Sequence, residues 1–301
     1  MKYICAQPAT QYFGWQIDVM LHSFVTVGIN LKDVHIVCAI QNKLDPYFSK
    51  LQTKYSKANF FYYKDLRKDK TYISSIRPNI LKQHFSVFSE LSKEAIFYHD
   101  CDIALTKPLE IGNICENNIC YMSDTISYIG YDYIISKGEE VLDEMCNIVG
   151  IDKKIVEQNQ QSSGGAQYLL KNIDKYFWYD VEKDSSRLFK EISKLNKDLI
   201  AKNGKDYNPL QIWCADMWGV LWNLWKRNKQ TKVIPEMDFS WSVGPKKEWH
   251  EKSIYHNAGV TADNGDLFFK GKWIHEIPPT DLNIKKDSCS YMYYNLLRQT
   301  L

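Results

Sequence analysis

AIFYHDCDIALTKP, residues 95–108, contains an apolar run that ends in two closely spaced carboxylates. Residues 95–98 are predicted to form a buried strand, and Asp100 and Asp102 follow its carboxyl end. Open α/β sheets bind their ligands at that end of their strands. Aspartates in such places also form turns and cap helices, but two of them with one residue between can hold a divalent cation that keeps positions open for water and phosphate. We therefore predict a metal site here.

The first hundred residues alternate short apolar runs with helical periodicity. Apolar runs at residues 3–6, 34–40 and 60–63 indicate strands, and the stretches between them carry apolar residues at helical spacing. Repeated β-α-β units predict a parallel sheet with helices on both faces. The glycine fingerprint of dinucleotide-binding folds is missing, since QPATQYFGW, residues 7–15, follows the first strand. The pattern predicts a Rossmann-like nucleotide fold that is not of the NAD-binding type.

The pattern changes after Asp102. The sequence then predicts two strands, a helix, and a polar segment with paired glycines before a helical run, near residues 119–123, 128–135, 139–149 and 157–167 in that order. Residues 184–203 show the stripe of an amphipathic helix, with Asp184 or Ser185 as its cap and Asn203-Gly204 at its end. We predict one α/β domain over residues 1–301. Its nucleotide-binding half is expected at 1–110, with a second, mixed half built onto it at 111–301.

Composition narrows the class of partner. The 38 Lys and Arg against 36 Asp and Glu give a net charge of +2, which excludes a global field that would direct the protein to nucleic acid or an anionic membrane. A local basic patch stays open, formed by Lys226, Arg227, Lys229, Lys232, Lys246 and Lys247. The most apolar stretch, residues 212–225, is too short to span a bilayer and carries Asp216. No signal-peptide pattern opens the chain, so we expect no membrane partner.

The eight cysteines lie mostly in apolar runs, without CxxC spacing or a dense framework. Free cysteine in such a run behaves as a small hydrophobe. This usage argues against a zinc site and favours a cytoplasmic protein in a reducing compartment.

Three further segments are candidates for chemistry. Gly164 and Gly165, with Gln167 close behind, offer backbone that a sugar could approach closely, although an ordinary turn has the same composition. Asp216 lies in a predicted helix over residues 209–227 that begins at Asn208-Pro209 and is apolar on every face. A carboxylate there is either a general base or tied to a buried hydrogen bond.

The third segment lies near the C-terminus. His256 follows a short apolar run, and Lys270 and Lys272 flank a glycine about a dozen residues later. Ammonium groups at that spacing can reach a diphosphate, and a solvated turn is the alternative.

These motifs together resemble the GT-A class of nucleotide-sugar glycosyltransferases. Four landmarks occur in the order of that family: Asp100-Cys101-Asp102 like its DxD, the glycine-rich loop at 163–166, an acceptor-side motif at 214–216, and His256 like its C-terminal metal-binding histidine. The segments FGW, GGAQYLLKNID, ADMWGVLWNLW and HNAG look closest to hydroxyproline O-arabinosyltransferases and peptidyl-serine galactosyltransferases, and the HNAG…KGKW end is also similar to glycogenin-like enzymes. Ala215 departs from the acidic residue common in the acceptor motif, and the lysine loop lacks a proline.

The resemblance implies a metal-dependent transferase that uses a UDP-sugar donor and Mn²⁺ or Mg²⁺ on a GT-A mixed sheet flanked by helices. It makes residues 1–110 the nucleotide-sugar-binding half, and residues 111–301 the acceptor-binding half with a C-terminal metal and phosphate loop. It assigns metal ligation to Asp102 and His256, with Asp100 on the metal, its bound water or the ribose. It assigns the diphosphate to Lys270 and Lys272. The remaining donor contacts would come from Gln7, Pro8 and Thr10 at the base and ribose, and from Arg77 and Lys82 at the phosphate or sugar. Asp216 would be the base of an inverting transfer, or would orient the acceptor in a retaining one.

The acceptor stays open in this interpretation. A hydroxyl on a glycan, a peptide or a small molecule is expected, with a pentose or hexose as the transferred sugar. A hydroxymethylated base in phage or viral DNA is an alternative acceptor. A non-catalytic module that binds nucleotide sugars is the alternative from another class.

Overall fold

The computed structural model describes residues 1–40 and 43–301. The chain forms two compact units, each made of separate stretches of sequence. Unit 1 comprises residues 1–64, 97–116 and 235–301, and unit 2 comprises residues 65–96 and 117–234.

The strands in chain order are β1 (Lys2–Pro8), β2 (Val34–Ile40), β3 (Asn59–Lys64), β4 (Ile96–Tyr98), β5 (Ile103–Leu105), β6 (Cys120–Asp124), β7 (Gly164–Leu170), β8 (Thr231–Val233), β9 (Phe239–Trp241) and β10 (Ile254–His256). The α-helices are α1 (Gln11–Thr26), α2 (Pro46–Lys54), α3 (Ile76–Val87), α4 (Ile126–Ile129), α5 (Tyr131–Ile135), α6 (Glu139–Val149), α7 (Lys153–Gln158), α8 (Lys175–Asn203), α9 (Ala215–Lys226), α10 (Lys246–Glu251) and α11 (Cys289–Arg298).

Parallel strands form the base of unit 1. β1 pairs with β2 and β2 with β3, each in parallel, and β4 is the next strand beside β1. Nearly every residue of β1 and β2 is buried, as expected for parallel strands covered on both faces. This burial on both faces explains the continuous apolar runs from which the two strands were predicted.

A second, smaller sheet of unit 1 has the strand order β5-β10-β9. β10 runs antiparallel to β5 and parallel to β9, and its last residue, His256, lies opposite Ile103 and Trp241. This register brings the end of β10 to the start of β5, directly after Asp102. The small sheet therefore positions the site described below.

Aromatic side chains form the core around this small sheet. Trp15 of α1, Tyr255 of β10, Phe268, and Tyr293 and Tyr294 of α11 belong to one buried cluster. The rings of Tyr255 and Tyr293 stack with centroids 5.1 Å apart. Large aromatic rings bury much apolar area, so this cluster fixes the C-terminal segment against the first helix of the unit.

Unit 2 combines a short mixed sheet with long helices. Its strand order is β7-β6-β8, with β6 antiparallel to β7 and parallel to β8. The 29-residue helix α8 contacts α3, α6 and α9. The Asp174 side chain caps α8, accepting a hydrogen bond from the Phe177 N–H at 2.9 Å.

The predicted α/β class is confirmed, with mixed strand pairing and flanking helices. The strands predicted at residues 3–6, 34–40, 60–63, 95–98 and 119–123 and the helix at 139–149 are present. All eight cysteines are free, and seven of them are buried. Within the residues that the structure describes, no helix has the length and apolar character needed to cross a bilayer.

Four local predictions were wrong. Residues 128–135 form parts of α4 and α5 instead of a strand, because Gly130 interrupts the chain between two helical turns and the Ile129 carbonyl accepts from the Trp218 indole at 2.9 Å. The residues after the paired glycines form β7 and not a helix, because they pair with β6.

The other two errors concern helix starts. The helix expected to begin at Asp184 or Ser185 begins at Lys175, and both predicted caps are buried inside it. The helix expected from 209 begins at Ala215, because the Asn196 amide donates to the Leu210 carbonyl at 3.0 Å and ties down the preceding segment.

Candidate functional site

Two carboxylates and an imidazole meet in unit 1. Asp100 and Asp102 lie in the turn between β4 and β5, and His256 ends β10. The Asn257 N–H donates to the Asp102 carbonyl at 2.8 Å, which joins the turn to the end of β10 through the backbone. The two aspartates and His256, which were predicted as metal ligands from distant parts of the sequence, are therefore neighbours in this unit.

The geometry of this triad suits one cation. His256 Nε2 lies 3.4 Å from Asp102 Oδ1 and 3.7 Å from Asp100 Oδ2, and one ligand atom from each of the three residues lies within 4.8 Å of the others. Asp102 and His256 are buried, and Asp100 is half-buried. Carboxylate oxygens and one imidazole nitrogen are ligands that suit Mn²⁺, and Mg²⁺ can also bind to them. The residues present fit a divalent metal.

Lys270 adds a positive charge to the triad. Its ammonium makes an ion pair with Asp102 Oδ2. Burial alone would raise the pKa of Asp102, but the Lys270 and His256 side chains outweigh it and hold that pKa well below its usual range. Burial likewise opposes the charged form of Lys270, yet the Asp102 carboxylate raises the pKa of Lys270 above its ordinary value. Asp102 and Lys270 thus form an ionised pair.

Aromatic rings fix the orientation of His256. The Trp241 indole lies nearly parallel to the imidazole, with an interplanar angle of 15° and centroids 6.3 Å apart, and the Phe239 ring lies 5.4 Å away. Gly259 has φ +85°, and a Cβ there would lie 3.3 Å from the Trp241 ring. Both the backbone conformation and the close contact favour glycine. A residue without a Cβ leaves room for the indole beside His256.

A buried polar network supports the same loop. The Ser242 hydroxyl and the Tyr255 hydroxyl lie 2.5 Å apart, and both are within hydrogen-bond distance of Asn257 Oδ1, at 2.8 and 3.2 Å. Because the Asn257 backbone holds Asp102, this network fixes the turn that carries the carboxylates.

Lys272 differs from Lys270. Both belong to the 3-10 helix Lys270–Lys272, but Lys272 is exposed. The intervening Gly271 is packed on Phe269, whose ring a Cβ would overlap. The loop therefore presents one lysine to the triad and the other to solvent.

The predicted base and ribose contacts also lie in unit 1. Gln7 is buried and Pro8 half-buried at the carboxyl end of β1, and Thr10 is exposed directly before α1. β1 is the strand beside β4, and the His99 N–H donates to the Ile4 carbonyl at 3.1 Å. These residues share a unit and neighbouring strands with the triad.

Asp216 lies in unit 2, in the first turn of α9. Its Oδ1 accepts from the Tyr72 hydroxyl at 2.6 Å, and its Oδ2 forms an ion pair with Arg77, also at 2.6 Å. The Asp216 N–H donates to the Tyr72 oxygen at 3.1 Å. Burial and the Asp216 charge raise the pKa of the Tyr72 hydroxyl, so it stays a donor. Arg77, predicted from the resemblance as a donor contact, is engaged with this carboxylate.

Lys82 and the glycine loop complete the predicted residues. Lys82 pairs with Glu182 at 2.5 Å within unit 2. Gly164 and Gly165 are buried in β7, where a Cβ on them would collide with Met122 and Met217. Gln167 is buried and accepts from the Ser123 hydroxyl at 2.7 Å. The glycines thus permit close packing of strand β7 against its neighbours.

Two partners of the candidate residues, Tyr72 and Trp241, were not predicted from the sequence. Tyr72 was not singled out, and nothing local marks it as the partner of a residue 144 positions away. Trp241 was also missed, although its position in the parallel strand next to His256 follows once β9 and β10 are paired.

No protein-family model and no curated protein matches this sequence. Similar solved structures include the apo form of the bifunctional glycosyltransferase WbbM (TM-score 0.47, 9% identity, 87% of this chain and 46% of that one). They also include the galactosyltransferase LgtC in complex with donor and acceptor sugar analogues (0.44, 10%, 99% and 96%) and the apo glycosyltransferase GlyE of Streptococcus pneumoniae TIGR4 (0.44, 11%, 99% and 60%).

The chain thus spans less than half of WbbM and about three fifths of GlyE. All three identities are 11% or less, so function is inferred from the site residues themselves.

Proposed function

We propose that this protein is a metal-dependent glycosyltransferase that moves a sugar from a nucleoside diphosphate donor to an acceptor hydroxyl. The observation that carries the proposal is the triad of Asp100, Asp102 and His256 beside the Lys270 ammonium. Its donor set fits Mn²⁺ or Mg²⁺, and the positions left by three protein ligands suit phosphate oxygens. Such an ion, when bound, neutralises the negative charge that develops on a leaving diphosphate.

The chain's own residues supply the other donor contacts. Lys270 and Lys272 lie on one short helix, from which ammonium groups reach phosphate oxygens. Gln7 and Pro8 end the strand next to β4, and Thr10 follows shortly after it. These three residues would line the base and ribose, with uridine as the expected base. The motif resemblance supports these assignments.

On the acceptor side, Asp216 is better suited to orientation than to proton abstraction. Both of its carboxylate oxygens already accept short hydrogen bonds, from Tyr72 and Arg77. Both oxygens are thus engaged with partners in the same unit, and neither can take a proton from an acceptor hydroxyl without giving up such a contact. We therefore favour a positioning role, which is compatible with a retaining transfer and leaves an inverting base to be found elsewhere.

The test is donor turnover with and without metal. Purified protein is incubated with a panel of UDP-pentoses and UDP-hexoses, and UDP release is measured in Mn²⁺, in Mg²⁺ and after chelation. We expect release that requires the ion and is lost in Asp102→Asn, which removes a charge but little volume.

The control variant is Asp238→Asn, which removes a carboxylate of the same unit that pairs with Lys252. It should keep wild-type release. Tight UDP binding without release from any donor would instead identify a non-catalytic module. The mass and chemical class of the acceptor product would separate glycan, peptide and hydroxymethylated DNA acceptors.

A further inference from the structure

Asp102 already holds a cation in this structure. The Lys270 ammonium pairs with its Oδ2, and the His256 ring faces its Oδ1. The Asp102 side chain is 9% exposed, whereas the Lys270 side chain is 29% exposed. The carboxylate is therefore buried, while the lysine that neutralises it keeps part of its side chain exposed.

A buried carboxylate without a counter-ion is costly, so the protein needs a positive charge at this position. The Lys270 ammonium supplies that charge. A divalent cation bound to the same carboxylate would lie only a few ångströms from the ammonium and would be repelled by it. The lysine and the metal therefore cannot both interact with Asp102 at full strength.

We propose that Lys270 is the counter-ion of Asp102 in the metal-free protein, that it competes there with the divalent cation, and that the diphosphate of the nucleotide draws it away. This inference rests on the proposed function and concerns how its two ligands are coupled. It makes metal and nucleotide binding mutually favourable, because each ligand removes the obstacle to the other.

The side chain of Lys270 is suited to such an exchange. A lysine carries a compact charge on a flexible four-carbon stem, so its ammonium can move while its backbone stays in place. The backbone is held by the 3-10 helix and by the packing of Gly271 on Phe269. A diphosphate offers more negative charge than a single carboxylate and is the stronger attractor.

The experiment measures the affinity of the protein for Mn²⁺ from the electron paramagnetic resonance signal of the free ion. The affinity is measured once without nucleotide and once at saturating UDP. In Lys270→Met we expect the affinity without nucleotide to rise about three- to tenfold, because a competitor and a repelling charge are gone. At saturating UDP we expect the affinity to stay within about twofold of wild type, because the diphosphate has already drawn the wild-type lysine away from Asp102. The increase in Mn²⁺ affinity that UDP causes is therefore smaller in the variant than in the wild type.

Three variants control this result. Lys247→Met removes a charge from an exposed residue of the same unit and should leave both affinities within about twofold of wild type. Lys270→Arg keeps the charge and should keep the weak affinity without nucleotide. Lys270→Gln serves in place of the methionine variant if that one does not fold, as judged by thermal melting.

Two outcomes overturn the inference. If both affinities fall in Lys270→Met, the residue only supports the structure of the site. If the affinity without nucleotide is unchanged and only the value with UDP falls, Lys270 binds diphosphate without competing for Asp102. Failure of the wild type to bind Mn²⁺ with or without UDP contradicts the proposed metal-dependent function instead, so the two failures are distinguishable.

Discussion

Asp216 is held by one neutral and one charged partner, and this pairing separates two roles for the residue. The substitution Asp216→Asn preserves its shape but leaves Arg77, whose side chain is 18% exposed, without its carboxylate. Breaking a largely buried ion pair is costly, so we expect the free energy of unfolding to fall by about 2–4 kcal/mol. Urea denaturation measures this loss.

The matched control is Asp180→Asn. The Asp180 carboxylate pairs with Arg227 at 2.6 Å in the same unit, but both side chains are about one-third exposed. We expect a loss below about 1 kcal/mol. If Asp216→Asn unfolds like wild type while sugar transfer falls by about 10²–10⁴-fold, the carboxylate is the catalytic base instead.

At the scale of elements, the paired glycines test whether strand β7 is a ligand wall or a packing surface. A Cβ on Gly165 would press on the Met217 side chain of α9. Overpacking of this kind costs about 1–3 kcal/mol, so Gly165→Ala should lower the melting temperature while the Mn²⁺-dependent KM for donor stays near wild type.

Gly265→Ala is the control for that substitution, because nothing lies within 4 Å of the added Cβ and the backbone there does not require glycine. It should melt like wild type. A KM for donor that rises in Gly165→Ala with no change in melting would show that the glycine borders a bound sugar.

The elements that the sequence predicted correctly are those with a strong local cause. β1 and β2 are continuous apolar runs because both faces are buried, and α6 has a clear apolar stripe. Residues 128–135 misled because their aromatic and β-branched content favours strands, while the contacts that hold them helical come from Trp218. Local propensity gives way there to packing with another element.

The residues of the candidate site also differ in whether local sequence or tertiary contacts determine their positions. Asp100 and Asp102 were predicted from an adjoining strand, whereas His256 is more than 150 residues away and reaches them only through the antiparallel pairing of β10 with β5. His256 was predicted from the resemblance of its segment to a known motif. No local pattern revealed that Lys270 binds Asp102 or that Arg77 binds Asp216. Such pairings depend on tertiary contacts between distant segments.

For the molecule as a whole, the distribution of positive charge tests whether duplex DNA is a suitable acceptor for the proposed transfer. Two members of the possible basic patch are already neutralised within unit 2, since Lys226 lies 3.6 Å from Asp184 and Arg227 pairs with Asp180 and Asp174. Lys246 and Lys247 belong to unit 1. Neither unit gains from these lysines the concentrated positive charge that duplex DNA requires.

We therefore expect weak binding to duplex DNA. With a net charge of +2 and paired cations, the dissociation constant for a labelled 20-base-pair duplex should exceed about 10 µM at 150 mM salt. Fluorescence anisotropy at 50 and 150 mM salt measures both the affinity and its salt dependence. Because each neutralised phosphate adds about 0.9 to the slope of log K against log salt, a slope near one would fit isolated surface lysines. Submicromolar binding with a slope of several units would reveal a built DNA surface, and a hydroxymethylated base would then become the favoured acceptor over a glycan or peptide hydroxyl.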